Sequence, residues 1–433
     1  MKIAQQCIEW IHESPSNFHA IEKMREIYLA NGFTELKENE AWRIEKGGAY
    51  FTTRNGSCIA GFKVGGNVDE AIYQIAASHS DSPTYKVKEN GEIIVGNYLK
   101  LNTEVYGGML HSTWLDRPLK LAGRVYVKNG NKIERRLYDS KRAVCLIPNV
   151  AIHMNRKAND GYSYNPQVDM LPMCGLDLEK GSLKNLVAKD LGLAVEDILS
   201  MELNVAMSQK GEIFGFNEEF MGSSRLDDLE CGFTSLLALL DSSNEERINI
   251  AVCFDNEEVG SGTRQGAKST FLKDCMERIN QALGFDREMV LRGLASSFMV
   301  SCDNAHAQHP NHPEYCDVSN PVRLNGGIVI KYNANQRYTT DALSASIFKS
   351  ICEKANVPVQ SFHNRSDMPG GSTLGNLSTM QISIASVDIG CAQLAMHSCY
   401  ESAGVKDAEY MVEGLKAFYN SKIKADGFDV VID

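Results

Sequence analysis

A regular alternation of helical and strand patterns, from about residue 223 onward, constrains the fold of this chain more than any other feature. Apolar residues at helical spacing predict helices over residues 229–240, 268–283, 287–297, 340–355 and 407–419. Short apolar runs between them predict strands over residues 248–254, 298–301, 327–331 and 381–387. This order predicts an α/β layer with a mostly parallel sheet.

The first 222 residues have a different pattern of predicted helices and strands. Apolar residues spaced from Phe18 to Tyr28 predict a helix, Asn55-Gly56 predicts a hairpin turn, and the apolar run 71–77 predicts a buried strand. Residues 84–222 contain β-type runs separated by turn signals, although 183–199 has a helical pattern. We therefore predict a β-rich domain over 84–222, inserted into a discontinuous α/β domain made of 1–83 and 223–433.

The charge balance and the cysteine pattern exclude several classes of protein. The chain has 44 Lys and Arg against 55 Asp and Glu, and 44 − 55 gives a net charge of −11. Without clustered basic residues there is no electrostatic basis for binding nucleic acid or an anionic membrane. The absence of a long apolar run and of a signal-like leader predicts a soluble, cytoplasmic protein. Twelve scattered cysteines without a Cys-x-x-Cys pair predict reduced thiols and argue against thiolate zinc sites.

Four predicted strands run directly into acidic residues or histidine. The residues after the strands are His79 and Asp81, then Asp255, Glu257 and Glu258, then Asp303, and finally Asp388 followed by His397. The crevice of an open α/β sheet lies beyond the carboxyl ends of its strands, so one crevice would collect them. Clustered carboxylates repel one another unless a cation lies among them, and added imidazoles favour zinc over manganese or cobalt. Two such ions about 3.5 to 4 Å apart, bridged by a carboxylate and a water, are the usual hydrolytic arrangement.

Each of these patterns also has a simpler interpretation. His79-x-Asp81 is also compatible with a solvated loop, and adjacent Glu257 and Glu258 with a solvated helix face. The glycines of 260–266 nearly match a dinucleotide-binding loop, which leaves a nicotinamide-dependent oxidoreductase as an alternative, although the last glycine comes one residue late. The acidic residues directly before that loop would repel a pyrophosphate. The glycine-rich stretch 370–375 does not form the nucleophile elbow of a serine hydrolase.

Eight motifs together resemble a known family. They are ASHSDSP (77–83), NVAIHMNR (149–156), SSRLDDLECG (223–232), DNEEVGSGT (255–263), SCDNAHAQHPNHP (301–313), KYNANQRYTTDA (331–342), DMPGGSTLGN (367–376) and AMHSCYESAG (395–404). In this order they resemble the motifs of the aspartyl aminopeptidase family, which are dinuclear zinc exopeptidases. The resemblance implies an α/β fold whose central mixed, mostly parallel sheet has helices on both faces, with an inserted β-rich dimerisation domain.

The resemblance also implies a role for individual residues. His79, Asp303, Glu258 and His397 resemble metal ligands, and Asp227 resembles the carboxylate that bridges two divalent ions, most simply zinc, with cobalt or manganese as alternatives. Glu257 resembles the general base, and Asp81 the carboxylate that orients His79. The substrates would be short peptides with a free N-terminus, of which the first residue is removed.

Acidic N-terminal residues are the preferred substrates that the resemblance implies. Lys331 and Tyr338 would face the substrate carboxylate, and His153 and His306 would line the pocket, with a peripheral metal role for His153 as the alternative. His153 lies in the inserted domain, which pairs subunits in this family, and the dimers assemble into a dodecamer. Departures from the family pattern at Asp228, Asn304, Ser366 and Gly370 leave a broader specificity open, and a non-hydrolytic peptide-binding protein is a further alternative.

Overall fold

The computed structural model describes residues 2–433. In that range it has nine α-helices: α1 (Lys2–Glu13), α2 (Asn17–Ala30), α3 (Ser182–Leu191), α4 (Leu226–Leu240), α5 (Phe271–Leu283), α6 (Arg287–Ala295), α7 (Ala342–Lys354), α8 (Leu374–Ser378) and α9 (Val405–Asn420). The strands of the first half are β1 (Thr34–Glu35), β2 (Ala49–Arg54), β3 (Cys58–Val64), β4 (Tyr73–His79), β5 (Thr84–Val95), β6 (Tyr98–Tyr106), β7 (Leu119–Asn129), β8 (Lys132–Asp139), β9 (Met173–Leu176), β10 (Ile198–Met207) and β11 (Glu212–Phe214). The remaining strands are β12 (Phe220–Ser223), β13 (Ile248–Phe254), β14 (Phe298–Cys302), β15 (Ala305–His306), β16 (Ile328–Tyr332), β17 (Val359–His363), β18 (Ala385–Gly390), β19 (Ala392–Leu394), β20 (Glu401–Gly404), β21 (Ile423–Asp426) and β22 (Asp429–Ile432).

A nine-stranded sheet forms the centre of the molecule, in the order β1-β2-β3-β13-β4-β14-β18-β16-β17. Its four middle strands, β13, β4, β14 and β18, run parallel to their neighbours in that group. The pairs β2–β3, β3–β13 and β16–β18 are antiparallel. The sheet is therefore mixed and mostly parallel, which confirms the predicted α/β class.

Both faces of this sheet are buried under helices. On β4, Ile75 packs in the apolar cluster that contains Phe271 of α5, whereas the next residue, Ala76, belongs to the cluster that contains Leu229 of α4 and Met411 of α9. Side chains of a strand alternate between faces, so consecutive buried residues require cover on both sides. The prediction of helices on both faces is confirmed.

A six-stranded antiparallel sheet, in the order β8-β7-β10-β5-β6-β9, is built entirely from residues 84–207. Helix α3 packs on it through Leu183 and Val187. A five-stranded sheet, in the order β11-β12-β20-β19-β15, joins residues 212–223 to three strands between residues 305 and 404 and pairs Ser223 with Glu401. The domain boundaries at 84 and 222 stay a prediction.

Several predicted elements shift by a few residues. The apolar run 381–387 predicts a strand that lies at Ala385–Gly390, and the strand predicted at 71–77 ends on His79 because it pairs in register with β13 up to Phe254. The helical pattern 183–199 ends early, because Gly192 adopts a left-handed conformation (φ 65°) and terminates α3. Between residues 2 and 433 no helix is long and apolar enough to cross a membrane. All twelve cysteines are free thiols.

Candidate active site

The carboxyl edge of the central sheet brings the predicted residues together. His79 ends β4, Asp303 follows β14, and Glu257 and Glu258 follow β13 in a single turn of 3-10 helix. Because these three strands are parallel neighbours, their ends meet at one edge. Asp227 reaches this edge from the first turn of α4, and His397 from the turn between β19 and β20.

One set of ligand atoms, which we call the His79 group, comes from His79, Asp227, Asp228 and Asp303. One donor atom of each residue lies within 4.8 Å of the others, and all four residues are buried. The Nε2 atom of His79 lies 3.4 Å from Oδ1 of Asp227. The peptide bond between Asp227 and Asp228 is cis. Asp228 was not among the predicted ligands, although it directly follows Asp227 in the sequence.

A second set, the His397 group, comes from Asp227, Glu258 and His397, again with donor atoms within 4.8 Å. The Nε2 atom of His397 lies 3.3 Å from Oδ2 of Asp227 and 3.4 Å from Oε2 of Glu258. The two oxygens of Asp227 thus face different groups. The side chain of His397 is 31% exposed, so this group is more open than the first.

The electrostatics of these groups fit divalent cations. The carboxylate oxygens Asp227 Oδ1, Asp228 Oδ1 and Glu258 Oε1 are buried and have no hydrogen-bond partner among the described residues. Burial, and then the neighbouring Asp227, raise the pKa of Glu258 well above its usual value. Burial opposes ionisation of Asp227 as well, but contacts with His397 and His79 outweigh it and lower the pKa of Asp227. Cations would satisfy the unpartnered oxygens, and imidazole and carboxylate donors without thiolate suit zinc.

Asp81 connects the ligand loop to the two glutamates. Its carboxylate accepts hydrogen bonds from the backbone amides of Glu257 (3.1 Å) and Glu258 (3.2 Å) and from the Tyr106 hydroxyl (2.6 Å). The Nδ1 atom of His79 lies 3.0 Å from the Asp81 carbonyl oxygen and 3.4 Å from its carboxylate. Such a partner fixes the imidazole so that Nε2 faces the ligand atoms.

Glu257 belongs to neither ligand group but lines the same cavity. Burial, the largest effect, and the nearby acidic residues raise the pKa of Glu257 to about 8. A buried carboxyl group that lines the cavity without belonging to a ligand group is free to accept and return a proton. Its place beside the unpartnered oxygens fits a proton-transfer role.

A cavity of about 320 Å³ opens in front of both ligand groups. Of the ligand residues, Asp227, Glu258, Asp303 and His397 line this cavity. The other lining residues include Glu257, His306, Lys331 and Tyr338. Lys331 is buried, and its Nζ donates to the carbonyl oxygens of Asp303 (2.6 Å) and Asn304 (3.3 Å). Although burial opposes the charge, the neighbouring Asp303 carboxylate raises the pKa of Lys331, which is therefore a cation in the cavity wall.

His153 lies away from this cavity in the single chain. It is exposed on the loop after residue 150 and is absent from both ligand groups and from the cavity lining. Its roles as a pocket residue or as a metal ligand stay predictions. His306 lies at the cavity with its ring 6.0 Å from that of Phe362.

Glu401 is a buried residue of the site that the sequence patterns do not predict. Its two carboxylate oxygens accept hydrogen bonds from the backbone amides of Asp227 (3.1 Å) and His397 (2.7 Å). Burial, and then Asp227, raise the pKa of Glu401 to about 8. The only signal in the sequence is its position four residues after His397.

Two acidic residues at predicted strand ends hydrogen-bond to neighbouring protein groups and do not belong to the ligand groups. Asp255 accepts hydrogen bonds from Asn17 (3.0 Å) and from the backbone of Asn256 (2.8 Å). Asp388 accepts hydrogen bonds from Thr339 and Thr373, which belong to two loops beside the cavity. Neither residue is in a ligand group.

Known proteins are similar to this chain in sequence and in fold. The model of the family described as aminopeptidase I zinc metalloprotease (M18) matches residues 10–419. A probable M18 family aminopeptidase 2 of Clostridium novyi is 46% identical over 428 residues, which cover 97% of this chain and 99% of that protein. The structure of the Ape4 and Nbr1 complex contains a chain with a TM-score of 0.92 and 35% identity, covering 96% of this chain and 85% of that one. A chain of the mApe1 dodecamer of S. cerevisiae has a TM-score of 0.85 and 29% identity, with 96% of each chain covered.

The family match and the geometry of the site agree. The family match spans nearly the whole chain. The carboxylate and imidazole donors at the sheet edge are suitable ligands for the zinc that this family uses. This chain belongs to the M18 family of zinc metalloproteases and is a metalloaminopeptidase.

Proposed function

We propose that this enzyme removes acidic residues, Asp or Glu, from the N-termini of short peptides, using two zinc ions and Glu257 as the general base. The observation that carries the dinuclear part is the position of Asp227, whose two oxygens face two separate groups of ligand atoms. His79, Asp228 and Asp303 would complete one site, and Glu258 and His397 the other.

The bound ions would polarise the scissile carbonyl and lower the pKa of the attacking water. Glu257 accepts the proton of that water and then donates it to the leaving amine. Asp81 holds the backbone of Glu257 through a 3.1 Å hydrogen bond, so the base keeps its orientation while the proton moves. The carboxylates at the cavity attract the free α-amine of the substrate, which limits cleavage to the first peptide bond.

The preference for acidic residues rests on Lys331. Its ammonium is buried in the cavity wall, where a substrate carboxylate would form a charge-assisted hydrogen bond. The ring centroid of Tyr338 is 5.3 Å from Nζ of Lys331, and Tyr338 lines the same cavity, where its hydroxyl could also reach a substrate carboxylate. A neutral side chain of the same size would leave the buried ammonium without this partner.

A panel of matched substrates tests this specificity. Aspartyl and asparaginyl substrates differ only in charge and hydrogen bonding, as do glutamyl and glutaminyl substrates. We expect kcat/KM to be about 10- to 150-fold higher for the acidic member of each pair, corresponding to about 1.5–3 kcal/mol for a hydrogen bond to a charged group. Equal values for each pair, with hydrolysis intact, would overturn the acidic preference but not the aminopeptidase activity.

We also propose that residues 84–222 form the domain that pairs subunits, and that the dimers assemble into a dodecamer. Exposed apolar residues surround His153 on this part of the chain: Val150, Ile152, Met154, Tyr162 and Val168. A surface of this kind favours burial against another subunit. The dodecamer formed by S. cerevisiae mApe1 supports the higher assembly. His153 would then reach the cavity of the neighbouring subunit, and light scattering at several concentrations measures the assembly.

A further inference from the structure

A short stretch of the six-stranded-sheet region reaches into the site of the central sheet. It consists of Tyr106, Gly107 and Gly108 and begins at the last residue of β6. Each of the three residues contacts a different part of the candidate site. We call it the 106–108 segment.

Tyr106 is the polar contact of this segment. Its buried hydroxyl donates to Oδ2 of Asp81 at 2.6 Å and accepts a hydrogen bond from Nδ2 of Asn256 at 2.8 Å. The same Asp81 oxygen accepts the backbone amide of Glu258. A hydrogen bond to a charged acceptor is the stronger kind, so Tyr106 fixes the carboxylate that in turn fixes the two glutamates.

Gly107 is the residue of this segment whose main chain lies against Glu258. It has a left-handed conformation (φ 75°), and a Cβ atom added there would lie 3.1 Å from Cβ of Glu258. The absence of a side chain therefore lets the main chain lie directly against Glu258.

Gly108 is the contact with the second imidazole. Its backbone lies beside the imidazole of His397, because a Cβ atom added to Gly108 would be 3.9 Å from Nδ1, and the Leu110 amide donates to the carbonyl oxygen of His397 at 3.1 Å. Backbone on the Nδ1 side of the ring keeps the Nε2 side toward the ligand atoms. For His79 the residue on the Nδ1 side lies two residues away, whereas for His397 it lies almost 300 residues away in the sequence.

We propose that the 106–108 segment is part of the catalytic machinery, with Tyr106 as a positioning residue that acts on Glu257 through Asp81. This inference rests on the proposed function, because it assigns Tyr106 to the proton transfer by Glu257. It makes the region of residues 84–207 necessary for catalysis within each chain, in addition to any role in pairing subunits.

The test is the Tyr106→Phe variant of the full-length zinc enzyme, because it removes one hydroxyl and keeps the ring. We expect kcat on an aspartyl substrate to fall about 10- to 100-fold. KM and the zinc content should stay within about twofold of the wild-type values, because Tyr106 does not line the cavity and belongs to neither ligand group.

A matched control is Tyr138→Phe. Tyr138 is a buried tyrosine of the six-stranded sheet whose hydroxyl donates to Asp190 at 3.0 Å, and it does not line the cavity. The Tyr138→Phe variant also loses a hydrogen bond from a buried tyrosine to an aspartate, so it reports the effect of a general loss of stability. We expect its kcat to equal that of the wild type.

Hydrogen exchange gives a readout that is independent of turnover. The backbone amides of Glu257 and Glu258 donate hydrogen bonds to Asp81. In Tyr106→Phe these two amides should exchange about tenfold faster or more, because Asp81 is less firmly held and the local structure opens more often. Tyr138→Phe should leave the exchange of these amides unchanged.

The outcomes separate the two proposals. Equal kcat for Tyr106→Phe and wild type, or a loss of kcat that is matched by loss of zinc, would overturn the positioning role. A wild-type enzyme without activity on any aminoacyl substrate would overturn the proposed function, and this inference with it.

Discussion

The His79 group and the His397 group share Asp227 but are built in different ways. All residues of the His79 group are buried, and two of them come from neighbouring parallel strands of one sheet. The His397 group is more open, and its histidine is held by hydrogen bonds of its backbone to Glu401 and to the Leu110 amide. The pairing of the central strands thus sets the positions of His79 and Asp303 in the first group. The second group depends instead on contacts between segments that are far apart in the sequence.

This difference has consequences for metal binding. A buried group loses its ion only when the surrounding structure opens, but a group with a half-buried histidine exchanges with solvent more easily. Glu257 lies outside both groups, so catalysis and metal binding can be separated by substitution.

Substitution of the base should have the largest effect on turnover. Glu257→Gln keeps the size of the side chain but cannot accept the proton, so we expect kcat to fall about 10²- to 10⁴-fold. Both ions should remain, because Glu257 is not a ligand. Steady-state kinetics together with metal analysis check this. Normal turnover would contradict the assignment of the base.

Removal of either histidine distinguishes the two groups. We expect His79→Ala to weaken zinc binding to the His79 group by at least about 100-fold. Loss of a residue that only hydrogen-bonds to a ligand typically weakens metal binding by about 10- to 100-fold, and loss of the ligand itself should cost more. His397→Ala should lose one ion and keep the other in the His79 group. Zinc titration of the two variants measures this, and loss of both ions from His397→Ala would refute the independence of the groups.

Graded chelation of the wild-type enzyme should remove the ions in two phases. The more exposed His397 group should release its ion first, and activity should decay with this first phase. Metal content and turnover, followed over time in the same sample, check the order. A single phase for both ions would mean that the difference in burial does not control exchange.

Metal removal should also make stability depend on pH. Burial raises the pKa of both Glu257 and Glu401 to about 8, against 4.5 for an unperturbed glutamate. The folded metal-free protein then binds more protons than the unfolded chain between these values, so its free energy of unfolding falls as pH rises from about 5 to about 8. Thermal unfolding with a chelator should give a lower Tm at the higher pH, and zinc should reduce the difference. The opposite slope would contradict these pKa directions.

The sequence predicts the His79 end of the site better than the His397 end. His79, Asp303, Glu257 and Glu258 directly follow buried apolar strands, and parallel strands bring such residues to one edge without further information. Asp227 follows Arg225, which has a left-handed conformation (φ 59°), in an irregular first helical turn, so no periodicity marks it and only the family resemblance identified it.

The remaining contacts depend on tertiary pairing. Glu401 faces Asp227 because β12 pairs with β20, and that register joins residues 178 positions apart (401 − 223). Tyr106 meets Asp81 only because the six-stranded sheet packs beside the central one. The fold class was predictable from local patterns, because each helix and each strand has its own periodicity. Asp81 was predictable as the partner of His79 from its position two residues later and from the family resemblance. The more distant partners, Glu401 and Tyr106, were not predictable, since each is a single polar residue at a strand end.

Anomalous diffraction from crystals of the zinc-loaded enzyme tests directly whether Asp227 lies between two ions. We expect two zinc peaks per chain, one on the His79 side and one on the His397 side of Asp227. A single peak, or two peaks that do not share Asp227, would contradict it.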